Sequence, residues 1–220
     1  MSDIMIIGGH GKVALKLSQI LTGEGHRVNS VIRSASQVQD VEDTGANAVV
    51  ADVQDLDTDG LTKLLADQDA VVWSAGAGGG DPERTYAVDR DAAIRSMDAA
   101  QAAGVERYVM VSYIGAGQDH GVPEDDSFYA YAQSKADADD HLRASSLKWT
   151  ILGPGTLTDD EASGMITTEP GQNDDGADTA RGNVALVAAA VLTAPDTTIG
   201  QKIDFADGDT IITEALANLS

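Results

Sequence analysis

Ile7-Gly8-Gly9-His10-Gly11-Lys12-Val13-Ala14 closes a short apolar run, Ile4-Met5-Ile6-Ile7, and opens a stretch of good helix formers. Three glycines at a strand-to-helix junction put the least encumbered backbone where a ligand must approach it. Gly8, Gly11 and Ala14 follow a G-x-x-G-x-x-A spacing. In such a loop the first glycine permits a tight turn and the second admits a pyrophosphate against bare backbone. A small third residue lets the helix lie close to the sheet. The helix N-terminus then offers unpaired N–H groups and a partial positive charge to phosphate oxygens. A glycine-rich turn can also serve only to join a strand to a helix. Position favours the ligand reading, because the motif follows the first strand and opens the first helix of a βαβ unit. The Walker pattern G-x-x-x-x-G-K-[ST] is absent.

The same alternation runs down the chain. Apolar runs predict strands at Ile4–Gly8, Arg27–Ile32, Ala48–Ala51, Ala70–Ser74, Arg107–Ser112, Trp149–Leu152 and Lys202–Phe205. Most are continuous rather than alternating, as in strands covered on both faces. Helical patterns separate them. Val13, Leu17, Ile20 and Leu21 share one face of the first helix; others span 84–103, 128–145 and 180–193. Strand and helix in alternation predict an α/β fold: one Rossmann-type, doubly wound parallel sheet of about seven strands between two helix layers. The 220 residues are expected to form one NAD(P)-binding domain. Thr158–Asp178, rich in Asp, Gly, Thr and Glu, is expected to be a loop or a lid. Met165 and Ile166 are its apolar residues, either closing over a substrate or simply packing.

Composition removes several functions. There is no cysteine, so neither disulfides nor thiolate metal sites can form. The formal charge of −22 argues against nucleic acid or an anionic membrane as partner. No apolar run is long enough to span a bilayer, and Met1-Ser2-Asp3 lacks the features of a signal peptide. A cytoplasmic monomer or homodimer acting on a small molecule is expected. Asp outnumbers Glu and lysine is scarce, a balance suited to high salt as well as to plain solubility. The histidines show no ligand spacing, so no metal is expected. Asp137, Asp139 and Asp140 read as a solvated helix face.

The second strand bears on the nucleotide. An NAD site usually ends this strand with an acid for the ribose 2′-hydroxyl, and an NADP site replaces the acid with a cation. Here the sequence VNSVIRSAS places Arg33 and Ser34 at that point, with Lys12 within reach from the glycine loop. NADP(H) is therefore expected over NAD(H), which stays possible. His10, if it contacts anything, contacts cofactor. Asp52 and Val53, after the third strand, are candidates for adenine. Ala75, Gly76 and Ala77, after the fourth, would let a dinucleotide lie across the sheet.

Tyr131 and Lys135 stand four apart on a predicted helix and share a face. An ammonium beside a phenol lowers its pKa and can bind ribose hydroxyls, which equips the pair for acid/base work. Ser112, at the end of the fifth strand, could hydrogen-bond a carbonyl. Tyr131, Lys135 and Ser112 are the catalytic candidates. An exposed tyrosine lying on a lysine stem would give the same spacing.

The order IGGHGKVA, SAGAG, GVERYVMVSYIGA, YAQSK, LKWTILGPGTLT and GDTIITEAL spans nearly the whole chain. It resembles the atypical short-chain dehydrogenase/reductases, small NAD(P)-binding proteins related to NmrA-like proteins and to biliverdin/flavin reductase. The resemblance implies a Rossmann fold with Gly8 to Val13 on the phosphates, Arg33 near the 2′-position and Lys135 on the ribose. It also implies Pro154 beside the nicotinamide. Relatives often read Arg-Pro-Gly where this chain has Gly153-Pro154-Gly155. The activity implied is an NADP(H)-dependent oxidoreductase acting on a small carbonyl, quinone or flavin-like acceptor. A non-catalytic NADP(H) sensor is the alternative. A nucleotide-sugar epimerase or dehydratase fits less well, because little chain remains after the sixth strand for a substrate domain.

Overall fold

The computed structural model describes residues 1–78, 80–170, 177–193 and 196–219. β1 (Asp3–Ile7), α1 (Lys12–Gly23), β2 (Arg27–Ile32), α2 (Val38–Glu42), β3 (Asn47–Val50) and α3 (Thr58–Leu64) come first. After β4 (Ala70–Trp73), a helical run holds α4 (Pro82–Thr85), a π-helical segment Tyr86–Ala92, and α5 (Ala93–Ala103). β5 (Arg107–Val111), α6 (Tyr129–Ala144), β6 (Lys148–Pro154), β7 (Thr156–Thr158), β8 (Met165–Thr167) and β9 (Asp178–Ala180) follow. α7 (Arg181–Thr193), β10 (Gln201–Asp207), β11 (Thr210–Ile211) and α8 (Ile212–Ala217) complete the described chain.

The seven predicted strands are β1 to β6 and β10, and they pair in parallel in the order β3-β2-β1-β4-β5-β6-β10. Strand order reverses between β1 and β4, so the crevice beyond their carboxyl ends is the ligand position of a doubly wound sheet. The main sheet has nine strands rather than about seven, because β8 and β11 extend its β10 edge in antiparallel pairing. β7 and β9 form a separate two-stranded sheet.

Successive side chains along a strand enter opposite layers. Ile4, Ile6, Val72, Val109 and Leu152 pack with Leu17, Leu21, Val184 and Val187 of α1 and α7. Met5, Ile7, Val71, Trp73, Met110 and Ile151 pack with Leu61, Met97 and Leu142 of α3, α5 and α6. Each buried Leu, Ile or Val contributes about 1.5–3 kcal/mol relative to exposure, which is why both faces read as unbroken apolar runs. Ile166 belongs to the first of these clusters and is fully buried. It is a core residue at the sheet edge and does not face a substrate. Residues 171–176 of the expected lid lie outside the described residues. Its earlier part is anchored: Asp159 accepts from Lys12 at 2.5 Å and Arg181 at 2.9 Å. Asn183 on α7 accepts from the Gly164 amide at 2.9 Å and donates to Asp207 at 2.7 Å. No helix among the described residues is long and apolar enough to cross a membrane.

Candidate functional site

The glycine loop sits where β1 delivers it. Gly8 has φ +87°, and a Cβ there would stand 2.6 Å from the Ala75 backbone, so the loop packs against the run after β4 only with glycine. A Cβ on Gly9 would likewise stand 2.5 Å from Ser30 Cβ. Gly11 caps α1 without a side-chain hydrogen bond, which leaves the first-turn amides of Lys12, Val13 and Ala14 unpaired by protein. The open first turn suits an anion, while Gly8 and Gly9 also meet a packing requirement.

In front of this loop lies a cleft of about 330 Å³. Gly8, His10, Gly11, Arg33, Asp52, Val53, Ala75, Gly76 and Ala77 all line it, as the sequence led us to expect of cofactor ligands. Arg33 is exposed and its guanidinium has no hydrogen-bond or ion-pair partner among the described residues. Among the other expected contacts, the side chain of Lys12 is drawn to Asp159 and that of Val13 is buried in the core, which leaves their amides at the helix start. Ser34 caps a short 3₁₀ turn, accepting from the Ser36 amide. Pro154 is paired with Phe205 inside the sheet, away from the cleft walls. His10 is held by Asp40 at 2.7 Å and Gln37 at 3.1 Å. Gln37 and Arg84 also line the cleft, and neither was singled out from sequence.

A second cavity, of about 720 Å³, adjoins the first: Gly76, Ala77 and Gly78 line both. Tyr131 lines this cavity, together with Asp81, Thr85, Asp89, Ser127 and Phe128. Tyr113, Phe128 and Tyr131 pack ring against ring with centroids 5.3–5.6 Å apart. Neither the Tyr131 nor the Tyr113 hydroxyl has a hydrogen-bond partner among the described residues.

Behind this wall is a buried charged cluster. Lys135, 1% exposed, donates to the Val111 carbonyl at 2.7 Å and not to Tyr131. Asp89 and Asp139 are equally buried and both are electrostatic neighbours of Lys135. Asp89 accepts from the Ala77 amide at 2.9 Å, tying the π-helical segment to the shared wall of the cavities. Asp139 accepts from Ser112 at 2.7 Å, and its second oxygen is buried without a partner. Asp139 is therefore part of the site, whereas only Asp137 and Asp140 match the solvated face expected of all three.

The electrostatics follow from burial. Desolvation raises both carboxyls above the usual range, and Lys135 opposes that shift. Desolvation lowers Lys135, and the two carboxyls oppose it. Tyr131 is raised above a free tyrosine, first by burial and then by Asp89, Tyr113 and Asp139. The expected lowering by Lys135 is reversed here, because burial raises the phenol, the ammonium is turned to the Val111 carbonyl, and Asp89 and Asp139 add to the rise. Tyr131 is held as a proton donor. Asp89 escaped the sequence reading although a signal existed: it falls on the apolar stripe Thr85, Val88, Ala92, Ala93 and Met97. An acid at a core position on a helix face marks a site. Among the described residues no group of His, Asp or Glu is placed to hold a metal ion.

Known proteins resemble this chain in sequence and fold. The chain is 34% identical to a UPF0659 protein of Schizosaccharomyces pombe over 237 residues, covering 99% of this chain and 94% of that protein. A solved Bacillus halodurans structure, named for the NAD-dependent epimerase/dehydratase class, matches with TM-score 0.90 and 31% identity, covering 100% of both chains. A Lactococcus lactis structure described as an oxidoreductase matches with TM-score 0.84 and 30% identity, covering 99% of this chain and 96% of that one. Residues 8–195, from the glycine loop to the end of α7, carry the pattern of the NAD(P)H-binding family, and the chain belongs to that family.

Proposed function

We propose that the protein is an NADP(H)-dependent oxidoreductase acting on a small carbonyl or quinone compound. The observation that carries this reading is the adjacency of two cavities. A cleft bearing the glycine loop and an unpaired arginine shares Gly76 to Gly78 with a cavity lined by Tyr131, whose hydroxyl is unpaired among the described residues. The open N-terminus of α1 would hold the pyrophosphate, Arg33 the 2′-phosphate, and Asp52 with Val53 the adenosine end. Bound there, the dinucleotide would supply or accept a hydride equivalent. Tyr131 stands over the second cavity with its proton retained, so it is suited to donating to a carbonyl oxygen. Lys135 and Ser112 act from behind: Lys135 balances Asp89 and Asp139, and Ser112 fixes Asp139.

Titration followed by tryptophan fluorescence tests this, since Trp73 lies on β4 directly before the shared wall. NADPH is expected to bind in the micromolar range and more tightly than NADH. Arg33→Ala should weaken NADPH about tenfold and leave NADH unchanged, as expected for one charge-assisted phosphate contact. Tyr131→Phe should keep NADPH affinity while ketone or quinone turnover falls by about a hundredfold or more, the scale of a lost general acid. Binding without any turnover in the parent would leave a dinucleotide sensor. No binding would reduce the glycine loop to a turn.

A further inference from the structure

We infer that the cavity of about 720 Å³ is a binding site for flat, uncharged, conjugated carbonyl compounds of the quinone type, and that it rejects anionic ones. The inference deepens the oxidoreductase reading and rests on it. Shape is the first argument. Phe128 and Tyr131 line one aromatic corner, backed by Tyr113, and Phe128 is 43% exposed, an apolar ring left open to the solvent. Planar π-systems stack on such rings with an advantage of about 0.5–1.5 kcal/mol beyond area burial. Hydrogen bonding is the second. The Tyr131 hydroxyl has no partner among the described residues and belongs to a residue that lines the cavity. It is raised above the usual tyrosine range by burial and by nearby carboxyls, so it offers its proton to an acceptor oxygen. Charge is the third. The described lining contains Asp81 and Asp89 and no lysine, arginine or histidine. A sulfonate, carboxylate or sugar diphosphate entering here would lose hydration and meet only like charge. The cations of the region, Arg33 and Arg84, line the dinucleotide cleft instead.

Calorimetry on the full chain with saturating NADP⁺ tests this with two probes of equal ring size, hydroxymethylanthraquinone and anthraquinone sulfonate. The chain has no cysteine, so thiol adducts cannot mimic binding. The neutral probe is expected to bind at least about tenfold tighter than the sulfonate. Phe128→Ala, an exposed position that does not threaten folding, should weaken the neutral probe by about three- to tenfold. Ser127→Lys, which sets a cation on the cavity wall, should tighten the sulfonate and not the neutral probe. Equal or tighter binding of the sulfonate would overturn the inference. So would binding of neither probe, competition of the neutral probe with NADP⁺, or indifference to Phe128→Ala. A protein that bound the neutral probe but no dinucleotide would sink the oxidoreductase reading and leave the cavity assignment standing.

Discussion

Lys135 illustrates what spacing conveys and what it omits. Its four-residue offset from Tyr131 places both on one helix face, and the structure keeps them there. The next step of four reaches Asp139, and the ammonium serves the carboxyls and the Val111 carbonyl, not the phenol. Sequence could not show this, since it depends on Asp89 arriving from another helix. The cluster carries two acids and one base, so removing the base is severe. The sign follows from the direction of each shift. Asp89 and Asp139 are raised from 3.8, so their contribution is complete below that value and is lost as pH rises through their folded-state values. Without Lys135 those values rise further, and ionising the pair in the core becomes costlier. Lys135→Met should therefore lose about 3–5 kcal/mol near pH 8 and much less near pH 5, measured by urea unfolding. An equal loss at both would mean that the carboxyls do not depend on Lys135.

Among the elements, the long strands were legible and the short ones were not. β1 and β4 are apolar on both faces, and the other long strands hold enough apolar residues to be read, although β10 alternates, with Lys202 and Asp204 opposite Ile203 and Phe205. β7, β8, β9 and β11 have two or three residues each, in polar sequence, and owe their existence to partners far along the chain. The Gly153-Pro154-Gly155 departure also has a local cause. A Cβ at Gly153 would fall 1.9 Å from Asp204 Oδ1, so the carboxyl fills the space a larger residue would need. A Cβ at Gly155 would fall 1.7 Å from the Ala177 carbonyl oxygen, which is backbone. The two positions should then differ. Asp204 can swing aside for Gly153→Ala, at about 1 kcal/mol. Gly155→Ala must separate the junction of β6 and β7 from Ala177, just before β9, breaking the bond from its amide to Thr179, and should lose about 2–3 kcal/mol or more. Thermal melts of the two variants decide it. Equal losses would mean that the Ala177 backbone yields as easily as a side chain.

At the scale of the whole molecule, a charge of −22 surrounds a site that binds an anion. Among the described residues, seven lysines and arginines form ion pairs: Lys12, Arg27, Arg90, Arg143, Lys148, Arg181 and Lys202. Most are exposed, and such pairs contribute about 0–1 kcal/mol each. The remaining carboxylates repel one another in the folded state more than in an expanded chain. Salt weakens both effects, so the sign of its action shows which is larger. The excess of 36 acids over 14 bases makes repulsion the larger effect. Raising KCl from about 0.1 M to about 1 M shortens the screening length from about 10 Å to about 3 Å. If that removes about 2 kcal/mol of repulsion, Tm should rise by roughly 4–8 °C for a chain of this size. A fall in Tm would mean that the ion pairs outweigh the repulsion and that the acidic surface serves solubility alone. The same titration bears on the site. In the proposed site Arg33 would act within a few ångströms of a 2′-phosphate while the surrounding carboxylates act from farther away, so salt would screen the repulsion first. NADPH affinity should hold or improve over the lower part of this range instead of falling as it would on a basic protein.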